Sequence, residues 1–158
     1  IAIRDPRGSA HQGLREYQAP VEYGRSEIIR KGKKIAVLGV GSMIPSCMEI
    51  CKGLKDDGYD PTFVNARFVK PLDVDLLDEL AKDHSLFATV EENVKSGGYG
   101  EHVSAYMEAC HPEIRVLSAA VWDRFVPQGN VESLRSRIGL GVEDIRQAIE
   151  DSEELREQ

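Results

Sequence analysis

The sequence is short of what several large protein classes need. Its three cysteines, Cys47, Cys51 and Cys110, include no Cys-x-x-Cys pair. An odd number without that spacing argues against a disulfide scaffold and suits a reducing compartment. Basic residues are outnumbered, 20 Lys and Arg against 27 Asp and Glu, leaving a net charge of −7. Neutralising nucleic-acid phosphates takes a surplus of clustered cations, so neither DNA nor RNA is expected as a partner. No apolar run approaches the roughly 20 residues of a membrane span, and no membrane partner is expected. Gly-Lys-Ser/Thr, His-Glu-x-x-His and Gly-x-Ser-x-Gly are all missing, which removes the motif-based readings of phosphate loop, zinc hydrolase and serine hydrolase. His11, His84, His102 and His111 lack metal-ligand spacing and read as surface or helix-end residues. Methionine is absent before Met43 and the chain opens on Ile1. The expectation is a domain taken from a longer polypeptide.

What is there is enough for one globular, soluble domain: 158 residues, 41% of them apolar, an ordinary size for a single core. Glu27 to Ile29 is a short β-prone piece that ends at the turn Lys31-Gly32-Lys33. Lys34 to Val40 is a continuous apolar run, the mark of a strand covered on both faces. Pro45 opens a helix with Ile44, Cys47, Met48, Cys51 and Leu54 at helical spacing, and Asp57-Gly58 ends it. On that face Cys47 and Cys51 are core packing. Further strands are expected at Pro61 to Asn65, Leu86 to Val90 and Ile114 to Val121. Between them lie a helix N-capped by Asp73 and carrying Val74, Leu76, Leu77, Leu80 and Ala81, and a helix with Val103, Tyr106, Met107 and Cys110 inward. Pro112 stops the latter. Two more helices follow, Val131 to Arg137 and Val142 to about Leu155. The alternation predicts an α/β fold of three layers, α/β/α, with right-handed crossovers and a mostly parallel five-stranded sheet. Only a turn separates the first strand from the second, so the first joins the sheet antiparallel. Residues 1–24, with Gly8, Gly13 and Pro20, read as a linker and tail of a preceding domain that wraps the surface, and 25–158 as the α/β domain.

Ligands of such sheets gather where strands end and helices begin, here at Gly39 to Ser42, Arg67 to Asp73 and Glu91 to Gly100. The first loop lacks the glycine set of a dinucleotide turn, because Ile44 stands where the third glycine belongs and Asn65 where the ribose acid belongs. Of Glu91 and Glu92, one reading is a carboxylate that caps backbone donors and complements a helix dipole; the other is an acid that orients a partner loop or a distant group across a subunit contact. Gly97, Gly98 and Gly100 allow a tight turn with close backbone approach. Arg4 and Arg7, three apart around Pro6, form either an anion handle or partners for linker carboxylates such as Asp5. Proline favours extended geometry in the residue before it, which returns residues three apart to one side.

Four runs together carry a family resemblance: IRDPRG from Ile3, VNARFVKPLD from Val64, TVEENVKSGGYG from Thr89 and WDRFVPQG from Trp122. The chain resembles the C-terminal domain of the 1-deoxy-D-xylulose-5-phosphate synthases, transketolase-like enzymes that use thiamine diphosphate. Asp5 stands where that family's opening motif has tyrosine, and Trp122 where proline commonly precedes Asp-Arg-Phe. The resemblance implies a five-stranded α/β unit with one antiparallel strand. It also implies a parent enzyme that decarboxylates pyruvate and joins the two-carbon unit to glyceraldehyde 3-phosphate, for isoprenoid, thiamine and pyridoxal synthesis. Thiamine diphosphate and Mg2+ would be held by the preceding domains of the same polypeptide, with no cofactor bound by this piece and no turnover from it alone. A homodimeric parent in the cytoplasm, or in a plastid of a plant or alga, is implied as well. Arg7 takes the place of the arginine that grips the phosphate of the aldehyde substrate, with Arg4 as a secondary candidate. The guanidinium fork suits a phosphate because it offers two parallel charge-assisted hydrogen bonds. The alternatives are the last domain of another thiamine enzyme, such as a split transketolase or a 2-oxoacid dehydrogenase β subunit, and a stand-alone α/β module.

Overall fold

Apolar continuity at residues 34–39 does produce a central strand with side chains buried to either side. The computed structural model describes residues 2–3, 13–14, 16–17 and 19–157, with side chains to 152. In chain order it has β1 (Glu27–Arg30), β2 (Lys34–Gly39), a short 3-10 turn (Gly41–Met43), α1 (Ile44–Asp56), β3 (Thr62–Asn65), α2 (Val74–Ala81), β4 (His84–Val94), α3 (Tyr99–Cys110), β5 (Arg115–Val121), α4 (Val131–Arg137) and α5 (Val142–Glu157). The five strands form one sheet in the order β1-β3-β2-β4-β5. Parallel pairing joins β2 to β3, β2 to β4 and β4 to β5. The expected α/β class, with one antiparallel strand in an otherwise parallel sheet, is what the chain forms. That strand is β1, and it pairs with β3 rather than with β2 across the Lys31-Gly32-Lys33 turn. A central β2, flanked by β3 and β4, has no free edge for β1.

Alternation along the strands divides the core in two. Ile35, Val37, Phe63, Leu86, Ala88 and Val90 pack with α1 residues such as Cys47, Ile50 and Leu54, and with Ile145 and Ile149 of α5. On the opposite face Ala36, Leu38, Val64 and Phe87 meet Leu77 and Leu80 of α2 and Val103 and Met107 of α3. Two covered faces explain why the inner strands carry apolar residues on both sides instead of alternating with polar ones. Cys47 and Cys51 are buried in the first cluster as expected, and burial pushes both thiols up, Cys51 to about 12. Cys110 differs from expectation: it is exposed, as the last residue of α3, beyond the buried Val103 and Met107.

β4 is longer than the apolar run Leu86 to Val90 that announces it. It begins at His84 and continues through Glu91 and Glu92 to Val94. Its register against β5 shifts between Val90 and Val94, where Val90 faces Ala119 and Val94 faces Val121. The extra residues on β4 make a bulge, and a bulge re-aims the side chains it contains. Those side chains include both glutamates.

Candidate functional site

The three loops singled out in the sequence do lie at the carboxyl ends of β2, β3 and β4. Sheet order reverses there: from β2 the chain moves to β3 on one side, then to β4 on the other. The crevice at such a switch point is where open α/β sheets receive ligands. In this chain protein groups occupy it. Glu92 accepts a 2.7 Å hydrogen bond from the Ser42 hydroxyl. Arg135 of α4 reaches back and donates to both Glu92 oxygens, Nε and Nη2 each at 3.0 Å. A bidentate guanidinium on a carboxylate is the stronger kind of ion pair, and it ties α4 to the sheet edge.

Glu91 faces elsewhere. It is 1% exposed, and its two oxygens accept from the backbone N–H groups of Tyr99 at 3.0 Å and Gly100 at 2.8 Å. These are the first donors of α3, unsatisfied within the helix itself and at the positive end of its dipole. The position where a helix N-terminus would hold a phosphate is therefore filled by Glu91. Gly98 makes this approach possible, since a Cβ there would lie 2.6 Å from Glu91 Oε1. Two residues on, a Cβ at Gly100 would lie 2.3 Å from Ser118 Oγ and 2.5 Å from Thr89 Oγ1. Thr89 and Ser118 are paired across β4 and β5, and among the described residues neither hydroxyl has a hydrogen-bond partner. The glycine turn thus serves close helix-on-sheet packing. Of the two readings for the paired acids, capping holds for Glu91, while Glu92 pairs within the chain with Ser42 and Arg135.

The third loop, after β3, is engaged with residues 19–26. Arg67 has φ of +52°. It pairs with Glu27 and donates to the carbonyls of Ala19 and Pro20, each at 3.3 Å. Asp73 caps α2 as expected, accepting from Leu76 N at 3.4 Å. It also accepts from Ser26 N at 2.7 Å and from Arg25 at 3.0 Å. Neither this second role nor Arg135's reach to Glu92 has a signal in the linear sequence, because each partner lies more than 40 residues away. Arg4 and Arg7 lie outside the described residues.

Along the β5–α4 connection, large apolar side chains stand in the open. Trp122, Phe125, Val126 and Val131 are exposed along the β5–α4 connection, with Val94 beside them, and Lys95 Nζ sits 5.0 Å from the centre of the Trp122 ring.

At the opposite, amino edge, His84 is buried rather than at the surface. Its Nδ1 lies 2.8 Å from the Leu80 carbonyl and its Nε2 2.7 Å from the Thr62 hydroxyl. A carbonyl only accepts, so Nδ1 carries the proton and Nε2 takes one from Thr62. Thr62 Oγ1 in turn accepts from Gly32 N at 2.9 Å. Burial outweighs the Leu80 contact and holds His84 below its ordinary pKa. His111 caps the end of α3 and shares the Asp78 carboxylate with the Tyr106 hydroxyl, which keeps Asp78 below the usual carboxylate range, the His111 contact contributing most. Among the described residues no three His, Cys, Asp or Glu side chains are placed to hold a metal ion. With the α3 donors taken by Glu91, the described residues do not make a cradle for a diphosphate and its magnesium.

An α/β domain of this topology has known counterparts. The chain belongs to the transketolase C-terminal domain family, which matches residues 24–145. Within that family its sequence is similar to 1-deoxy-D-xylulose-5-phosphate synthases. The synthase of Lachnoclostridium phytofermentans is 39% identical over 146 residues, 92% of this chain and 23% of that protein. That of Dictyoglomus thermophilum is 39% identical over 150 residues, 94% of this chain and 24% of that protein. The chain thus spans about a quarter of the length of these relatives. Among solved structures a split-gene transketolase, described as an inactive β4 tetramer, superposes with a TM-score of 0.78 at 28% identity, covering 84% of this chain and 43% of the other. The Campylobacter jejuni transketolase shares the fold at 14% identity, with a TM-score of 0.52 over 81% of this chain and 18% of that one.

Proposed function

We propose that this chain is the non-catalytic C-terminal domain of a 1-deoxy-D-xylulose-5-phosphate synthase, in which residues 1–24 form the linker from the preceding domain and residues 25–158 the domain itself. The parent condenses pyruvate with glyceraldehyde 3-phosphate and releases CO2, in the supply of isoprenoid and thiamine precursors. Thiamine diphosphate and Mg2+ belong to the preceding domains; when bound, thiamine supplies the carbanion chemistry, and protein groups supply orientation and charge. This domain contributes a packing face and an arginine, Arg7, for the phosphate of the aldehyde, with Arg4 in a secondary place. The observation that carries the non-catalytic reading is the state of the switch-point crevice. Its two acids are spent on Tyr99, Gly100, Ser42 and Arg135.

The exposed Trp122, Phe125 and Val131 support the packing role, as the face on which the rest of a homodimeric parent rests. The similarity to a split-gene transketolase chain supports a second reading, in which the domain comes from another thiamine enzyme and chiefly holds subunits together.

The test compares the chain alone with the complete polypeptide, each given pyruvate, glyceraldehyde 3-phosphate, thiamine diphosphate and Mg2+. Deoxyxylulose phosphate is expected from the complete polypeptide and none from the chain. Product from the chain alone would overturn the non-catalytic reading, and a complete polypeptide active only on ketose donors would favour the second.

A further inference from the structure

The two edges of the sheet are built differently. β1 is four residues long, carries charge at both ends in Glu27 and Arg30, and shifts its register against β3 between Ile28 and Arg30. Short length, charge and a bulge are what keep a sheet edge from pairing with another chain. β5 stands at the far end of the strand order, and among the described residues β4 is its one neighbour. It runs for seven residues, Arg115–Val121, with no charge and no proline after Arg115. Its register against β4 is regular from Arg115 to Ala119. Val116, Leu117, Ser118 and Ala119 are half-buried. Between the strand and α5 lies an open groove of about 190 Å3, lined by Leu117, Ala119, Ile138, Leu140 and Ile145.

The residues along that edge complement their own reverse. In an antiparallel pair, residues directly opposite lie on the same face of the sheet. With Ala119 set opposite its own copy, Ser118 faces Ala120, Leu117 faces Val121, Val116 faces Trp122 and Arg115 faces Asp123. Small residues meet at the centre, larger apolar ones meet outside them, and an opposite-charge pair closes each end. Arg115 and Asp123 are both exposed. The faces agree as well: Leu117, Ala119 and Val121 pack toward the α1 and α5 cluster, and Val116 toward the α2 and α3 cluster. Centring the pair on Ser118 sets Arg115 against Val121 and Asp123 against Glu113, and centring it on Ala120 sets Arg115 against Phe125 and Asp123 against Leu117. Of the three registers, only the one centred on Ala119 satisfies both charge and size.

We propose that β5 is an interaction surface for a second copy of this chain, the two β5 strands pairing antiparallel about a twofold axis at Ala119 and joining the two sheets into one. A twofold interface uses the same patch on both partners, so a strand that complements itself is what it requires. Pairing gives the outward backbone groups of β5 their hydrogen bonds, covers the apolar groove and forms the Arg115–Asp123 contact twice. Cross-strand pairs of opposite charge stabilise such a register, and like charges directly opposite destabilise it. The surface is the edge of the sheet rather than the exposed side chains of Phe125 and Val131, and the proposal does not depend on which enzyme the domain serves.

The experiment uses the chain as it stands, which has its own core on both sides of the sheet. Sedimentation equilibrium over a concentration series is run for the parent chain, R115D, D123R and the charge swap R115D/D123R, with far-UV circular dichroism to show that each is folded. A concentration-dependent dimer is expected for the parent chain. R115D and D123R should each raise its dissociation constant about tenfold, because like charges then oppose each other at both ends. The swap restores opposite charges in this register and should return the constant to within about threefold of the parent. Fluorescence of Trp122, the single tryptophan of the chain, should move to the blue as the dimer forms. A second measurement reads the register without altering charge. Cys110 is exposed, so the background is C110S. There A119C should form an intermolecular disulfide under mild oxidation, since opposite Cα atoms of an antiparallel pair are about 4.5 to 5.5 Å apart. L117C, about 13 Å from its symmetry mate, should not. A chain that is monomeric at every concentration, a dimer indifferent to both charge reversals, a swap no better than the single variants, or equal cross-linking at 117 and 119 would overturn the proposal.

Discussion

At the amino end of β4 His84 is buried as a neutral ring between the Thr62 hydroxyl and the Leu80 carbonyl, whereas at the carboxyl end Glu91 is buried against two backbone N–H groups. The amino edge carries a chain of neutral hydrogen bonds running from Gly32 through Thr62 to His84, with the more exposed pairs Arg30–Asp60 and His111–Asp78 beside it. The carboxyl edge is held by charge: Glu91 on a helix end, Glu92 on Arg135, Arg67 on Glu27 and Asp73 on Arg25. A neutral network costs little to bury once each group is satisfied, and it fits an edge that only has to close. Among the described residues the two longest connections between elements, 66–73 and 122–130, both leave the carboxyl edge. One strand thus joins a structural end to an end built for holding other segments.

The largest effect expected from breaking this contrast is at Glu91. E91A removes the acceptor from two buried backbone donors and should cost about 3 kcal/mol of unfolding free energy, measured by urea denaturation. A cost below about 1 kcal/mol would mean that water replaces the carboxylate and that the edge is open. The amino edge should answer to pH instead. Because His84 titrates lower in the folded chain than its ordinary 6.5, its contribution is intact above about pH 6.5 and is lost as pH falls toward the folded value. The stability gap between the parent chain and H84N should therefore narrow between pH 7.5 and pH 5, and a gap independent of pH would remove His84 from the titration. Smaller again is Arg135: R135A should cost about 1 kcal/mol, since the pair with Glu92 is bidentate but partly solvated. A double-mutant cycle with E92A should return most of that as coupling. The smallest is on the apolar face, where F125S should change stability by less than about 0.5 kcal/mol. The same change should weaken assembly of the complete polypeptide by light scattering, and intact assembly would remove Phe125 from the packing face.

Much of the architecture is legible in the chain because it depends on local pattern. The apolar run at Lys34, the Pro45 start of α1, the Asp73 cap and the helical spacing around Val103 each specify an element through neighbours within a few residues. The roles at the carboxyl edge are less legible. Glu91 and Glu92 are adjacent and chemically the same, and nothing in the sequence divides capping from bridging between them. The fold does so, by bringing the start of α3 to one and Arg135 to the other. His84 escapes for a similar reason. A histidine before an apolar run looks like a surface residue until Thr62 and Leu80 are brought to it from two other elements.

The sequence by itself determined the layers, the number of strands and the family, because binary pattern, turn residues and long motifs act at short range or as whole strings. Tertiary structure alone decided that β1 pairs with β3, that the crevice at the switch point is filled by Glu92 and Arg135, and that Arg67 holds the incoming chain. Each of those depends on a contact between residues some 35 to 50 positions apart, where the energy of pairing is set by geometry and burial that no local pattern encodes.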